Sequence, residues 1–196
     1  MHQNVLLVSQ DAPKSSTLET ILCAEGYAIH HALLDTALVN QDILKKMKVI
    51  NPDFVAIYTK KPQSSMLETI RMIQDKQPAP IIIFAEERQE SIESDVINAG
   101  ASAFIVDGIE EHRMRSIIEV AKTRFLKCQT LKQKLSETEQ KLTERKDIDR
   151  AKGIIMKNKN VSEDEAYKML RSLAMTKNQR MGELAISLIS ASELLD

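Results

Sequence analysis

The period of the apolar positions changes along the chain. Up to residue 106, short unbroken apolar runs alternate with stretches where apolar residues recur every three or four positions. Asn4-Val5-Leu6-Leu7-Val8, Tyr27 to Ala32, Phe54-Val55-Ala56-Ile57-Tyr58, Ile81-Ile82-Ile83-Phe84-Ala85 and Ala103-Phe104-Ile105-Val106 predict five strands. Such runs suit strands buried on both faces. Blocks 14–25, 36–50, 65–76 and 89–99 predict helices, the third with Met66, Leu67, Ile70 and Ile73 on one face. Gly26 and Gly100 follow the first and last of them, where a helix often ends in a left-handed residue. Strands alternating with helices predict an α/β, doubly wound parallel five-stranded sheet. Ligands and partners of such sheets meet the carboxyl ends of the strands.

From Glu110 the texture changes, and neither Pro nor Gly occurs until Gly153. A single helix of more than forty residues is expected there. Ala121, Cys128, Leu135 and Leu142 lie seven apart, and Ile117, Leu131 and Thr138 fill intermediate positions of an interrupted heptad seam. Arg124 and Arg145 fall on the seam too, and Lys127, Lys132, Lys134, Glu139 and Lys141 flank it. A long helix cannot bury such a stripe alone, so residues 110–147 are read as a coiled-coil helix pairing two copies into a homodimer. The plainer reading is a surface helix packed on its own domain.

Residues 145–196 read as three helices, the first being the end of the long one. Asn158 to Val161 makes a turn, and Ser162-Glu163-Asp164-Glu165 has the form of a capping box with acids in the first turn. Ala166, Tyr167, Leu170, Leu173 and Ala174 are the expected buried face of the next helix. Lys177-Asn178 turns the chain into a last helix from Arg180 to about Ser192, with Met181, Leu184, Ala185, Leu188 and Ile189 inward. Met156, Met169, Met175 and Met181 read as core fillers. Ala151 and Ala166 read as close-packing positions, and Gly153 as a place where a neighbouring helix or a ligand comes close.

Charge divides the chain. The 196 residues carry 27 Lys and Arg against 28 Asp and Glu, a net −1. Residues 1–110 hold 9 basic against 15 acidic side chains and all five prolines, while residues 111–196 hold 18 against 13. Within 145–181 the ratio is ten to five, and three of those five acids stand at one helix start, where the helix dipole accounts for them. A solvated surface is the ordinary meaning of such a cluster. The acids Glu86, Glu87, Glu90 and Glu93 likewise read as a solvated helix face, or more sharply as a partner-docking edge.

Several classes of function drop out. No apolar run approaches the roughly 18–20 residues of a membrane span, and Met-His-Gln-Asn does not open a signal peptide, so a cytoplasmic protein is expected. Cys23 and Cys128 have no metal spacing and suit a reducing compartment. His30 and His31 are adjacent and in a strand point to opposite faces. Neither a Gly-rich phosphate loop nor a nucleophile–base set is present, so no enzyme, metal or cofactor is expected.

Residues 3–122 resemble the receiver domain of response regulators, a flavodoxin-like fold, through Val5 to Val8, Pro52 to Ile57 and Gly100 to Val106. The resemblance implies a phospho-acceptor Asp after the third strand, an acidic pair for Mg²⁺ after the first, Thr or Ser after the fourth and Lys after the fifth. This chain has Tyr58 at the acceptor position, Ser9 and Gln10 at the acidic pair, Ala85 at the Thr/Ser position and Asp107 at the Lys position. Asp11 and Thr59 are only near in sequence, and taking Asp53 as acceptor would leave the third strand too short. Residues 1–122 are therefore expected to form a pseudo-receiver without Asp phosphorylation.

The block 145–196 resembles the ANTAR domain, a three-helix RNA-binding module of bacterial transcription antiterminators. The matching segments are Ile148 to Met156, Ser162 to Tyr167, Leu170 to Met175, Asn178 and Arg180. The resemblance implies binding of stem-loops in a leader transcript and exclusion of the terminator. Few aromatics and a basic helical surface suit hairpins better than continuous single strands. The candidate RNA-binding residues are Arg145, Arg150, Lys152, Lys157, Tyr167, Arg171, Lys177 and Arg180. Lys152 and Lys157 would be point contacts to phosphate, and Arg145, Arg171 and Arg180 would bridge phosphates or bases. For Tyr167 a buried position and a base-stacking role stand side by side. A sensor or regulatory protein would replace phosphorylation as the control. Two other readings stay open: a phosphorylation-controlled regulator with an atypical acceptor, and an adaptor that binds only proteins.

Overall fold

The computed structural model describes residues 3–9, 16–33, 36–106 and 110–193. Strands Gln3–Ser9 (β1), Tyr27–Leu33 (β2), Phe54–Thr59 (β3), Ile81–Ala85 (β4) and Ala103–Val106 (β5) pair in the order β2-β1-β3-β4-β5. Every pairing is parallel. This is the flavodoxin-like order, in which the strand sequence reverses beside β1. Helices Ser16–Ala24 (α1), Thr36–Ile50 (α2), Ser64–Lys76 (α3) and Glu90–Asn98 (α4) connect the strands. They are followed by Glu111–Lys159 (α5), Glu163–Lys177 (α6) and Met181–Glu193 (α7).

The alternation of side chains along each strand builds two cores. Leu6, Val8, Val55, Ile57, Ile81 and Ile83 face one way and meet Ile43, Met47, Ile70, Ile73 and Val96 of α2, α3 and α4. Val5, Leu7, Phe54, Ala56, Ile82 and Phe84 face the other way and meet Leu18 and Leu22 of α1 with Met114, Ile118 and Ala121 of α5. Burial on both faces explains why β1, β3 and β4 carry unbroken apolar runs, whereas the edge strand β2 is only partly buried and holds His30 and His31. His30 and His31 diverge as expected, His30 towards the Asn4 side chain at 3.4 Å and His31 towards Glu19 at 3.9 Å.

The chain divides into two units, Met1–Gln129 and Thr130–Asp196. In the first, α5 packs through Met114, Ile118 and Ala121. Beyond them Leu126, Leu131, Leu135 and Leu142 are each more than half exposed, as is Val120. Packing on its own domain therefore covers only the start of the helix.

The second unit has a small core of Ala151, Leu170, Ala174, Leu184, Ala185 and Ile189. Half of these are alanines, which let helices approach closely. The expected face of α6 is corrected at its edges. Ala166, Leu170 and Ala174 are buried, but Tyr167 is 40 % exposed and Leu173 39 %. A stripe spaced by four residues is enough to meet two helices at alanine distance, and residues one step to either side remain at the rim. The core-filler reading fails for the same reason at Met156, Met169 and Met175, the last 73 % exposed. Met181 does pack against the core.

At Gly153 the helix half of the expectation fails: a Cβ there would meet nothing within 4 Å, so among the described residues no helix approaches it. In this unit the tight glycine is Gly182, where an added Cβ would lie 2.5 Å from Glu144 Cγ. Asn178 closes α6 in the left-handed conformation, φ 52 and ψ 41, and the Gln179 N–H donates to Ala174 O at 3.0 Å, completing a C-terminal motif of the Schellman type.

Candidate nucleic-acid interface

The α6 start is built by the capping box read from the sequence. The Glu165 N–H donates to Ser162 Oγ at 3.4 Å, and the Ser162 N–H and hydroxyl donate to Glu165 Oε2 at 2.9 and 2.8 Å. Those bonds hold the Glu165 carboxyl below its ordinary value, the backbone N–H contributing most. With α6 fixed, Tyr167, Arg171 and Met175 follow at intervals of four on one exposed face.

The candidate cations separate into two groups. Lys152 is engaged: its Nζ lies 2.7 Å from Asp149 Oδ1 and 2.6 Å from Glu163 Oε1, and its side chain is only 13 % exposed. Its ammonium is held above the ordinary lysine value, first by the Asp149 bond and then by that to Glu163, and Asp149 is correspondingly lowered. Lys152 therefore straps α5 to the first turn of α6. Arg150 Nη2 reaches Glu193 Oε1 on α7 at 2.7 Å, and Arg145 stands near enough to Asp149 to lower its pKa. Lys157, Arg171, Lys177 and Arg180 are exposed, and none of their side chains has a carboxylate partner among the described residues, although the Arg180 N–H donates to Glu183 Oε2 at 3.3 Å. The sequence pointed to the charges but not to this division. Asp149, three residues before Lys152, was a signal for it; Glu163 becomes a partner only through the fold.

Residues 136–189 match the family model of the ANTAR domain. This segment of the chain is an ANTAR domain. Over 183 residues the chain is 26 % identical to the transcriptional regulatory protein PdtaR of Mycobacterium tuberculosis, covering 93 % of this chain and 87 % of that one. The nitrate regulatory protein of Klebsiella oxytoca is 27 % identical over 132 residues, 67 % of this chain but 33 % of the relative. Ahead of the ANTAR domain, the fold is that of a response-regulator receiver. A CheY-like receiver domain from Methanospirillum hungatei JF-1 superposes with a TM-score of 0.52 at 18 % identity, covering 65 % of this chain and 98 % of the other.

The receiver-type end of the sheet has unusual occupants. Ser9 closes β1, Tyr58 lies in β3 and Ala85 closes β4, and register pairs Ser9 with Tyr58. Gln10, Asp11 and Asp107 lie outside the described residues. The Tyr58 hydroxyl donates to Glu86 Oε1 at 2.5 Å. Its pKa is pushed up to about 12, by burial first and by the Glu86 bond next. The Thr59 hydroxyl is turned to the Lys61 carbonyl at 2.9 Å. Asp53 precedes β3 at the opposite end of the sheet and accepts the Asn4 N–H at 2.8 Å. The acids after β4 have partners nearby: Glu86 with Tyr58, Glu87 with Lys60 at 3.9 Å and Glu93 with Arg88 at 2.8 Å. Among the described residues no helix is long and apolar enough to cross a membrane, and no cluster of three or more His, Cys, Asp or Glu suits a metal.

Proposed function

We propose that this ANTAR-domain protein is a cytoplasmic, homodimeric RNA-binding regulator of transcription antitermination. Its ANTAR domain binds stem-loops in a leader transcript and prevents the terminator from forming. The observation that carries the reading is the exposed set Lys157, Arg171, Lys177 and Arg180, whose side chains have no carboxylate partner among the described residues, with Tyr167 and Arg171 on one face of α6. Paired RNA is held through phosphate, and loop bases are held by stacking and planar guanidinium contacts. Arg150 and Lys152 play a second part, orienting the helices that carry those groups, and Arg145 stands beside Asp149 on α5. The ANTAR match and the transcription and nitrate regulators among the relatives support the assignment.

The regulatory reading assigns residues 1–122 to a pseudo-receiver answering a protein partner, 110–147 to a coiled coil and 145–196 to RNA. It is supported by the tyrosine at the acceptor position and by the exposed leucines of α5. The test is a titration of a two-hairpin leader RNA with the full chain, comparing wild type with Arg171→Ala. The variant should lose about 1–3 kcal/mol of binding free energy. Equal affinity for the hairpin RNA and a scrambled single strand, unchanged in the variant, refutes the assignment and favours the protein-only adaptor.

A further inference from the structure

The ANTAR domain has a surface that RNA binding leaves unused. On the other flank of α6 from Tyr167 and Arg171, a groove of about 660 Å³ opens between α5, α6 and α7. Its floor is aliphatic and thioether: Ile154 and Ile155 of α5 are half-buried there, and Met169 and Leu173 of α6 are 42 % and 39 % exposed. Lys159 and Lys168 stand on its lining, and no acidic side chain does. Another hollow in this unit, about 540 Å³, is lined by Glu139, Glu144, Asp147 and Glu183 with Arg180, and has the opposite electrostatic character.

The occupant follows from shape and charge. A second copy paired along the α5 seam is a poor occupant. Continuing the heptad past Leu142 places Arg145, Asp149, Lys152, Met156 and Lys159 on the seam, so its apolar stripe is broken by charge there, and Ile154 and Ile155 on the groove floor are off its register. RNA is a poor match, because the lining contains no aromatic side chain on which a base could stack. An apolar trough with adaptable methionine fits the apolar face of a helix. The unopposed lysines select acidic residues beside that face.

We propose that this groove is the docking site for an acidic amphipathic helix of the controlling protein. The proposal deepens the reading of a partner-controlled regulator and rests on it. One helix, α6, then presents RNA-facing groups on one flank and partner-facing groups on the other. A bound partner can restrain α6 without covering Arg171.

The test uses the full-length chain and two fluorescein-labelled helical peptides of about 18 residues, roughly five turns. Both carry leucines at i, i+3, i+4 and i+7; one has glutamates beside the leucines and the other has lysines. The glutamate peptide should bind at least about tenfold more tightly than the lysine peptide. Leu173→Glu should weaken it by about tenfold or more, while Leu142→Glu, on the seam, should leave it unchanged. The double reversal Lys159→Glu with Lys168→Glu alters only exposed side chains and should invert the preference between the peptides. Failure of both peptides to bind, or a preference the reversal does not move, overturns the proposal. So does displacement of the peptide by hairpin RNA, which makes the groove an RNA site, or conversion of the dimer to monomer by Leu173→Glu, which makes it a self-association site. A chain that binds the glutamate peptide but no hairpin RNA sinks the RNA reading and leaves the groove standing.

Discussion

The salt dependence of RNA binding distinguishes the two groups of cations. Seven candidate cations lie in the ANTAR region, and the side chains of four of them, Lys157, Arg171, Lys177 and Arg180, have no carboxylate partner among the described residues. Each phosphate neutralised contributes about −0.9 to the slope of log affinity against log salt on a duplex. Four contacts give about −3.6, so affinity for one hairpin should fall about 150-fold between roughly 50 and 200 mM salt. Seven contacts would give about −6.3 and a fall of about 6,000-fold. Fluorescence anisotropy of a labelled hairpin measures the slope directly. Arg171→Ala should reduce it by about one. Lys152→Met should leave it unchanged, because its ammonium already has two carboxylates within 2.7 Å. A slope near −6, or a Lys152→Met variant that loses one unit, shows that the strap opens onto phosphate and refutes the division. A slope shallower than about −1 refutes RNA binding by this surface.

Three further outcomes are expected. If the α5 seam pairs in parallel and in register, the two copies of Cys128 meet at a distance a disulfide can span. Mild oxidation should then give a crosslinked dimer that Cys128→Ser abolishes and Cys23→Ser does not; a chain that stays monomeric on a non-reducing gel rejects that register. Acidification should weaken the Asp149–Lys152 pair on α5 and the capping box of α6. Asp149 and Glu165 have folded values below their ordinary 3.8 and 4.5, so their contribution is complete above those values and lost as pH falls through the folded ones. Lys152, raised above 10.5, loses its contribution only as pH rises through its folded value. Thermal melts should show stability falling below the ordinary carboxylate range in wild type and less steeply in Asp149→Asn; equal curves reject the coupling. Incubation with acetyl phosphate should leave Asp11, Asp53 and Asp107 unmodified by mass spectrometry, and a phosphoryl group on any of them restores a phosphorylation-controlled regulator.

The elements were legible where the burial pattern is local. Both faces of the central sheet are covered, so β4 announces itself as Ile81 to Ala85 without a polar interruption, whereas the edge strand β2, with His30 and His31, was legible only from its place after α1 and Gly26. The capping box at Ser162 was legible because both of its partners lie within four residues. What escaped were properties set by distant neighbours. Tyr167 and Leu173 lie within the apolar spacing of α6, yet the width of the buried stripe depends on how closely the facing helices approach, which Ala151 and Ala185 decide. Lys152 and Lys157 look alike in sequence, and only the position of Glu163 distinguishes them. Gly182 and Gly153 both interrupt helical patterns; the glycine that touches a neighbour is the one the pattern did not single out.

Gly153 itself carries the last prediction. It lies inside α5, where glycine costs about 1 kcal/mol relative to alanine, and a Cβ there would meet nothing within 4 Å. Nothing within the described chain offsets that cost. Lys146, Arg150, Gly153 and Lys157 follow at intervals of four, three and four, which places them along one face of the helix. The glycine is thus a gap in a basic stripe, and a gap lets a phosphate backbone come closer to the helix than a side chain would allow. Gly153→Ala should therefore raise the stability of the full chain, by about 0.4–1 kcal/mol in a denaturant melt, and at the same time weaken hairpin binding by about tenfold, equivalent to roughly 1.4 kcal/mol. The two effects have opposite signs, so misfolding cannot imitate them. A variant that is more stable and binds RNA as tightly as wild type refutes close approach at this face, and a variant that is less stable shows that residue 153 has a neighbour within the folded protein.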